Sequence, residues 1–300
     1  MASPFALNNP HASPEAVRLF RYLHEIRGKF ILSGQQEVEH LGLHDGDDVE
    51  YVKATTGKLP AILGLDYISY PDTSERAIEW WRRGGIVSLC WHWGAPGYGP
   101  GYPASKETID VDAALTPGTE LNRILMQDID DVARELLKLR DAHVPVLWRP
   151  LHEFSGDWFW WSKSGPEPFK RLWRLIHDRY TRDFGLDNLV WVLGYTSQPG
   201  TDWYPGDEYV DIAGADNYAT GPQAEMYRAT ELVVGPERLI AYHECGPIPP
   251  PDELVGQQIP WSWFLTWHTI HIREQNTPEY LRAVYHHPYV ITHDKLPDLK

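Results

Sequence analysis

Eight short and nearly continuous apolar runs are spread along this 300-residue chain, and they limit its possible folds more than any other feature. Strands that are covered on both faces read as unbroken apolar runs, whereas strands with one wet face alternate apolar and polar residues. The runs occupy residues 30–33, 60–66, 86–92, 145–153, 188–195, 210–218, 238–244 and 261–268. The chain is therefore predicted to form a parallel sheet that is buried on both faces.

Segments with helical spacing lie between several of these runs. They occupy residues 13–26, 74–83, 120–142, 166–182 and 277–286. Eight strands that alternate with helices predict an α/β fold, a (β/α)8 TIM barrel that forms one domain over residues 1–300. A doubly wound open sheet is the alternative, but no Gly-x-Gly-x-x-Gly motif follows the first run.

Polar and aromatic side chains cluster at the carboxyl ends of the predicted strands. These end residues are Gln35, Gln36, Asp66, Tyr67, His92, Trp93, His152, Glu153, Tyr195, Asp216, Tyr218, His243, Glu244, Trp267 and His268. The amino ends of the same runs carry no comparable cluster. Since the sites of barrel enzymes lie at the carboxyl ends of the strands, this asymmetry predicts an active face.

Charge and composition narrow the class of ligand. The formal net charge of −15 argues against nucleic acid and anionic membranes, whose phosphates it would repel. No apolar run approaches the ~20 residues that span a bilayer. The chain also contains 14 Trp and 16 Tyr, and we expect many of them to form flat platforms for sugar rings in a cleft.

The cysteines and the termini give weaker signals. Cys90 and Cys245 are the only two cysteines, and we expect two reduced thiols in the core. The first five residues lack the features of a secretory signal, so the chain is either intracellular or a form from which a signal has been removed. The acidic loop at residues 45–48 lacks the distal Glu of a calcium loop.

Two of the strand-end residues are carboxylates in the same dipeptide, His152-Glu153 and His243-Glu244. A carboxylate at the end of a buried strand is costly to place, and two of them suit acid/base and nucleophilic work. The opposing interpretation is that one Glu is structural and paired with Arg149. Zinc ligation by His92, His152 and His243 is a further alternative, but neither dipeptide continues as His-Glu-x-x-His, so no metal or other cofactor is expected.

The segment 149–161, which reads RPLHEFSGDWFWW, strongly resembles glycoside hydrolase family 26, and within it the β-mannanases. The similarity extends over most of the chain. Further matching segments are 34–36, 64–67, 91–93, 214–218 and 261–268. The resemblance implies a barrel with its acid/base on the fourth strand and its nucleophile on the seventh.

The resemblance also implies roles for individual residues. Glu153 corresponds to the acid/base and Glu244 to the nucleophile, with Tyr218 as the hydrogen-bond partner that keeps Glu244 ionised. The residues expected to bind the sugar are His92, His152, Trp158, Asp216, Tyr218 and Trp267. We expect Trp158, Trp160 and Trp161 to crowd Glu153 and favour its protonated form, and a carboxyl separation of ~5–5.5 Å, which is the retaining geometry.

The activity implied is that of a retaining endo-β-1,4-mannanase acting on β-mannan or manno-oligosaccharides. A β-1,3-xylanase, a mixed-linkage β-glucanase and a carbohydrate-binding barrel without turnover stay open as alternatives. A polymeric substrate suggests a secreted protein, and we expect a monomer without an appended carbohydrate-binding module. His243 has no predicted role, and His268 occupies a position where mannanases often carry Arg.

Overall fold

In a computed structural model, which describes residues 6–37, 48–68 and 72–300, the chain forms a closed parallel barrel. The first five residues and most of the acidic loop at 45–48 lie outside the described residues. The barrel strands are β1 (Ile31–Gln36), β2 (Ile62–Asp66), β3 (Ile86–Trp91), β4 (Val146–Pro150), β5 (Leu189–Tyr195), β6 (Ile212–Asn217), β7 (Leu239–Cys245) and β8 (Trp263–Thr266). The predicted (β/α)8 TIM barrel is confirmed.

The barrel closes because β1 pairs in parallel with both β2 and β8. An open doubly wound sheet would leave two free edges at this point, so that alternative was wrong. A two-residue strand that the sequence did not predict, β9 (Val290–Ile291), pairs with Ile31 and Leu32 at the beginning of β1. The pairing of β1 with β2 begins only at Gly34, which leaves room there for β9.

Helices lie between most of the strands and cover the outside of the barrel. They are α1 (Pro14–Ile26), α2 (Asp48–Thr56), α3 (Thr73–Arg82), α4 (Tyr102–Ser105), α5 (Val111–Leu115), α6 (Glu120–Asp141), α7 (Pro166–Asp178), α8 (Ala224–Val234), α9 (Pro251–Gln257), α10 (Ile270–Arg273) and α11 (Pro278–Tyr285). The predicted helix at 166–182 ends as an α-helix at Asp178, and its last turn, Arg179–Asp183, widens into a π-helix.

Local sequence signals explain where the predicted helices begin. The Ser13 hydroxyl caps α1 by accepting a hydrogen bond from the Ala16 amide at 3.2 Å, and Pro14 occupies the first helical position. Thr119 caps α6 in the same way, through the Asn122 amide at 3.0 Å. These caps satisfy amides that have no partner within the helix.

Most of the tryptophans belong to the core rather than to a cleft. The expectation that many of the Trp and Tyr side chains form platforms for sugar rings was therefore too broad. The buried ones are Trp80, Trp81, Trp91, Trp93, Trp148, Trp160, Trp161, Trp173, Trp191, Trp261 and Trp263. A buried Trp removes roughly 150–250 Å² of apolar surface from water, so these side chains contribute much of the stability of the barrel.

Both cysteines are buried and free, which confirms the prediction of two reduced core thiols. Within the part of the chain that the structure describes, no helix has the length and apolar character needed to cross a bilayer.

Candidate active site

The first of the two carboxylates lies in a turn rather than on a strand. The predicted run 145–153 was too long, because β4 ends at Pro150, a residue without an amide hydrogen for further pairing. Leu151 and Glu153 then adopt positive φ angles of 50° and 55°, which are uncommon for residues other than glycine. The Glu153 amide donates to the Gly194 carbonyl at 2.8 Å, so the strained turn stays attached to β5.

The second carboxylate lies at a bulge in β7. Ala215 of β6 pairs with Tyr242, but the next residue, Asp216, pairs with Glu244, so His243 is one extra residue on β7. This shift places Glu244 level with Asp216 at the carboxyl end of the barrel. A register shift of this kind has no signature in the apolar pattern, and the sequence did not predict it.

The bulged His243 fits into the barrel wall because two glycines leave space for it. A Cβ atom on Gly194 or Gly214 would lie within 3 Å of the imidazole ring. The ring Nε2 is 2.9 Å from the Tyr195 carbonyl oxygen, and burial lowers the His243 pKa well below its usual value. His243 is therefore a neutral structural residue, which gives it the role that the sequence left unassigned.

Glu244 is almost completely buried and has two strong hydrogen-bond donors. Arg149, only 2% exposed, donates from Nη2 to Glu244 Oε2 at 3.0 Å, and the Tyr218 hydroxyl donates to Oε1. Burial raises the Glu244 pKa to about 7, while Arg149 opposes the rise, Glu153 adds to it and Tyr218 opposes it. Burial thus works against the expected ionised form of Glu244, and the two donors, Arg149 and Tyr218, favour that form.

Asp216 adds a third carboxyl group between the other two. Burial, followed by the neighbouring charge of Glu153, raises the Asp216 pKa well above its usual value. When Asp216 is protonated, the three carboxyl groups near Arg149 carry less negative charge.

Glu153 has a more open setting than Glu244, because it is only half-buried. The Trp158 indole donates from Nε1 to Glu153 Oε2 at 2.9 Å. Trp160 and Trp161 are fully buried and donate instead to the carbonyl oxygens of Trp93 and His152. Of the three tryptophans expected around Glu153, Trp158 alone donates a hydrogen bond to it.

Both carboxylates line one cleft of about 710 Å³ at the carboxyl end of the barrel. Four of the predicted sugar-binding residues line it as well, namely His92, Trp158, Tyr218 and Trp267. The other two, His152 and Asp216, lie beneath this lining at 0% and 4% exposure. The structure thus brings the whole predicted set together, but in two layers.

A hydrogen-bonded chain connects the two layers. Asp66 accepts from the His92 ring at Nδ1 over 2.5 Å and from the His92 amide over 3.0 Å, and His92 Nε2 is 3.1 Å from His152 Nε2. Burial lowers the His92 pKa, but the charge of Asp66 outweighs it, and the net shift is upward. Burial lowers the His152 pKa well below its usual value, so His152 is the neutral partner of the pair.

The model of glycosyl hydrolase family 26 matches residues 8–295, which is nearly the whole barrel. The chain belongs to glycosyl hydrolase family 26. A mannan endo-1,4-beta-mannosidase of Thermothelomyces thermophilus is 41% identical over 97% of this chain and 63% of its own length. The chain spans between 50% and 63% of the length of the first curated relatives that it matches.

Solved structures of the family agree with the fold. A Podospora anserina GH26-CBM35 beta-(1,4)-mannanase superposes with a TM-score of 0.89 at 38% identity, covering 99% of this chain and 70% of the other. A beta-mannanase from a symbiotic protist of the termite Reticulitermes speratus, complexed with gluco-manno-oligosaccharide, gives 0.87 at 31% identity and covers 98% of both chains.

Arg149 and Asp66 have contacts in this family 26 site that sequence reasoning missed. Arg149 was considered only as a partner that would make a Glu structural, yet its pair with Glu244 leaves that carboxylate on the cleft. Asp66 was noted only as a strand-end residue, and the structure shows that it orients His92. The alternation of side chains along β4 could have shown that Arg149 points into the barrel.

Two groups of side chains in the described parts of this family 26 chain have the spacing of a metal site. They are Asp66, Cys90 and His92, and Asp216, His243 and Glu244, with ligand atoms within 4.8 Å of one another in each group. In the first group Asp66 is bonded to His92, and in the second both Glu244 oxygens are bonded to Arg149 and Tyr218. In each group one of the carboxylates that would bind a metal is thus already hydrogen-bonded within the protein.

Proposed function

We propose that this family 26 chain is a retaining endo-β-1,4-mannanase. One observation carries the chemical part of the proposal: two Glu carboxylates line one cleft, and one is half-buried while the other is buried against Arg149 and Tyr218. Glycoside hydrolysis needs two carboxyl groups that differ in this way. The mannan part rests on the printed activity of the relatives, which are mannan endo-1,4-beta-mannosidases.

In the first step Glu244 attacks the anomeric carbon of the sugar as a carboxylate. A bond forms between that carbon and a Glu244 oxygen, and the bond to the leaving oxygen breaks as Glu153 donates its proton to it. We expect the two carboxyl groups to lie ~5–5.5 Å apart, since a direct attack leaves no room for a water molecule between them.

In the second step Glu153, now ionised, removes a proton from water. The water oxygen bonds to the anomeric carbon, and Glu244 leaves as a carboxylate. Arg149 and Tyr218 stabilise the charge that returns to Glu244, so they favour its departure. The same two donors keep Glu244 in one orientation for the attack.

The remaining residues of the site fit a sugar chain. Trp267 and Trp158 offer apolar faces on the cleft, and His92 belongs to the same lining. We propose that these three contact the sugar together with Tyr218. The buried His152 and Asp216 support the contact, His152 through His92 and Asp216 beside Glu153.

We further propose that the chain works outside the cell and as a monomer. A mannan polymer is too large to enter a cell, and one chain supplies both carboxylates and the lining of the cleft. With a net charge of −15, the chain suits a neutral polysaccharide and not a nucleic acid or an anionic membrane.

Hydrolysis of a panel of polysaccharides, with sizing of the products, tests this function. The panel contains linear mannan, galactomannan, glucomannan, β-1,3-xylan and mixed-linkage β-glucan. We expect reducing ends to appear with linear mannan, with a spread of oligosaccharide sizes from the earliest time points. Release of mannose alone would contradict the endo mode, and hydrolysis of β-1,3-xylan or β-glucan in preference to mannan would contradict the proposed substrate.

A further inference from the structure

Tyr218, which bonds to the proposed nucleophile, is itself held between two segments of the chain. On one side its ring contacts the imidazole of His271, with the ring centroids 4.7 Å apart and the planes 57° from each other. On the other side is Gly246, two residues after Glu244, where an added Cβ would lie 3.0 Å from Tyr218 Cδ1. The tyrosine ring thus lies between His271 and the backbone at Gly246.

His271 is in turn fixed by its own neighbours. Its Nδ1 lies 3.1 Å from Gln275 Oε1, and because that oxygen is only an acceptor, Nδ1 is the donor. The backbone of His271 is held by the buried Asn276, whose Nδ2 donates to the His271 carbonyl at 2.8 Å and to the Gly246 carbonyl at 3.0 Å. One amide side chain thus ties the His271 segment to the segment that follows the nucleophile.

The segment that carries His271 also has a strained entry, which an acidic residue stabilises. Thr269 adopts φ 55° and ψ −118°, an uncommon conformation for a β-branched residue. Asp48, only 1% exposed, accepts from the Thr269 amide at 2.8 Å and from Arg273 Nε at 2.7 Å. Backbone strain of this kind persists only where the surroundings fix it, and it is often found at functional sites.

We propose that His271 is a positioning residue, which holds the Tyr218 hydroxyl on Glu244. The proposal rests on the proposed function, in which Glu244 is the nucleophile. His271 is only half-buried, and it lines the cleft beside Tyr218, so the core does not depend on it. Its contact with the Tyr218 ring and its fixed backbone instead favour an effect on the rate of the chemical step.

A double-mutant cycle between His271 and Tyr218 tests the proposal. His271→Ala, Tyr218→Phe and the double variant are assayed with whichever polysaccharide the wild-type chain hydrolyses. His271→Phe keeps a ring against Tyr218 and is the rescue variant. Ile270→Ala is the matched control, because Ile270 neighbours His271 in α10 and its side chain is 51% exposed. Thermal unfolding of every variant shows whether the fold is retained.

We expect His271→Ala to lower kcat roughly threefold to tenfold, which is in the range of couplings between contacting residues, with KM changed less than about twofold. His271→Phe should restore most of kcat, and Ile270→Ala should leave it unchanged. In the Tyr218→Phe background the effect of His271→Ala should disappear, since the hydroxyl that it positions is gone.

Two results would overturn the proposal while leaving the proposed function standing. One is an equal loss of kcat from His271→Ala with and without the Tyr218 hydroxyl. The other is a rise of KM alone, which would make His271 a direct contact of the substrate. A wild-type chain that hydrolyses no polysaccharide of the panel would instead overturn both the proposed function and this inference.

Discussion

The same dipeptide, His-Glu, occurs at the ends of β4 and β7, yet the two copies have opposite surroundings. After β4 the histidine is buried against His92 and Glu153 is half-buried beside Trp158. In β7 the histidine is part of the barrel wall, and Glu244 is buried against Arg149 and Tyr218. Both carboxyl groups line the cleft, but Glu244 is also enclosed by Arg149 and Tyr218.

The difference shows that backbone geometry, more than residue identity, separates the two roles that we propose. Pro150 ends β4 early, and Leu151 and Glu153, which have positive φ angles, lie in the turn that follows. In β7 a bulge at His243 keeps Glu244 within the sheet, level with Asp216. A half-buried carboxyl can exchange protons with water and the leaving group, while an enclosed one is oriented for attack.

The largest expected effect is that of Glu244→Gln. The amide keeps hydrogen-bonding atoms near Arg149 and Tyr218 but cannot attack the sugar, so we expect turnover of mannan to fall by roughly 10⁴-fold or more. Measured initial rates check this, with Glu237→Gln, an exposed Glu just before β7, as the matched control. Near-normal turnover with an intact fold would remove Glu244 from the mechanism.

The second prediction concerns the free energy of unfolding and His243, the histidine that precedes Glu244. His243→Ala empties the space against Gly194 and Gly214 and removes the bond to the Tyr195 carbonyl, which should lower the free energy of unfolding by about 2–4 kcal/mol. Denaturant unfolding measures the change. His11→Ala, which truncates an exposed histidine, should stay within about 0.5 kcal/mol of wild type. A change of similar size for both would mean that His243 does not support the wall.

Tyr218→Phe removes one of the two donors to Glu244 and should lower kcat roughly 10- to 100-fold, the value of a hydrogen bond to a charged group. Because this donor favours the ionised carboxylate, its loss should raise the Glu244 pKa further. Glu244 must be ionised to attack, so the acidic limb of kcat/KM should move to higher pH.

The pH profile of Tyr218→Phe is informative because the other charged or titratable groups around Glu244 stay in place. These groups are Arg149, Glu153, His92 and Asp216. An acidic limb that stays where it is in the wild type, or moves to lower pH, would show that Tyr218 does not stabilise the ionised form of Glu244.

Trp158→Phe gives the smallest expected effect. Phe keeps an aromatic face on the cleft but loses the indole donor to Glu153, so we expect kcat to fall roughly 2- to 10-fold. The loss should be smaller than that of Tyr218→Phe, since water can replace the donor at a half-buried carboxyl. An equal loss of kcat in Trp158→Phe and Tyr218→Phe would contradict the difference between the surroundings of Glu153 and those of Glu244.

Much of the fold could be predicted from the sequence because apolar runs and helical spacing report burial directly. All eight barrel strands begin and end within a few residues of the predicted runs. The errors occur where the apolar pattern does not indicate the end of a strand or the presence of a very short one. Pro150 ends β4 while the apolar residues continue, and β9, with two residues, is too short to form a recognisable run.

The residues of the site could be predicted better than their arrangement. Strand-end position placed His92, Glu153 and Glu244 at one cleft, which the structure confirms. The bulge at His243 and the burial of Glu244 depend on the register between strands, and a single sequence does not encode that register in any readable pattern. The support of Tyr218 by His271 depends on two loops that meet only in the folded chain.

The stereochemistry of azide rescue tests the assignment of the two carboxylates most directly. An activated β-mannoside, whose leaving group needs no protonation, is given with azide to Glu153→Ala and Glu244→Ala, after the folding of both variants is checked by circular dichroism. If Glu244 is the nucleophile, azide attacks the glycosyl-enzyme in Glu153→Ala and gives the β-azide. In Glu244→Ala azide fills the vacated space and gives the α-azide. The opposite pair of products would contradict the account.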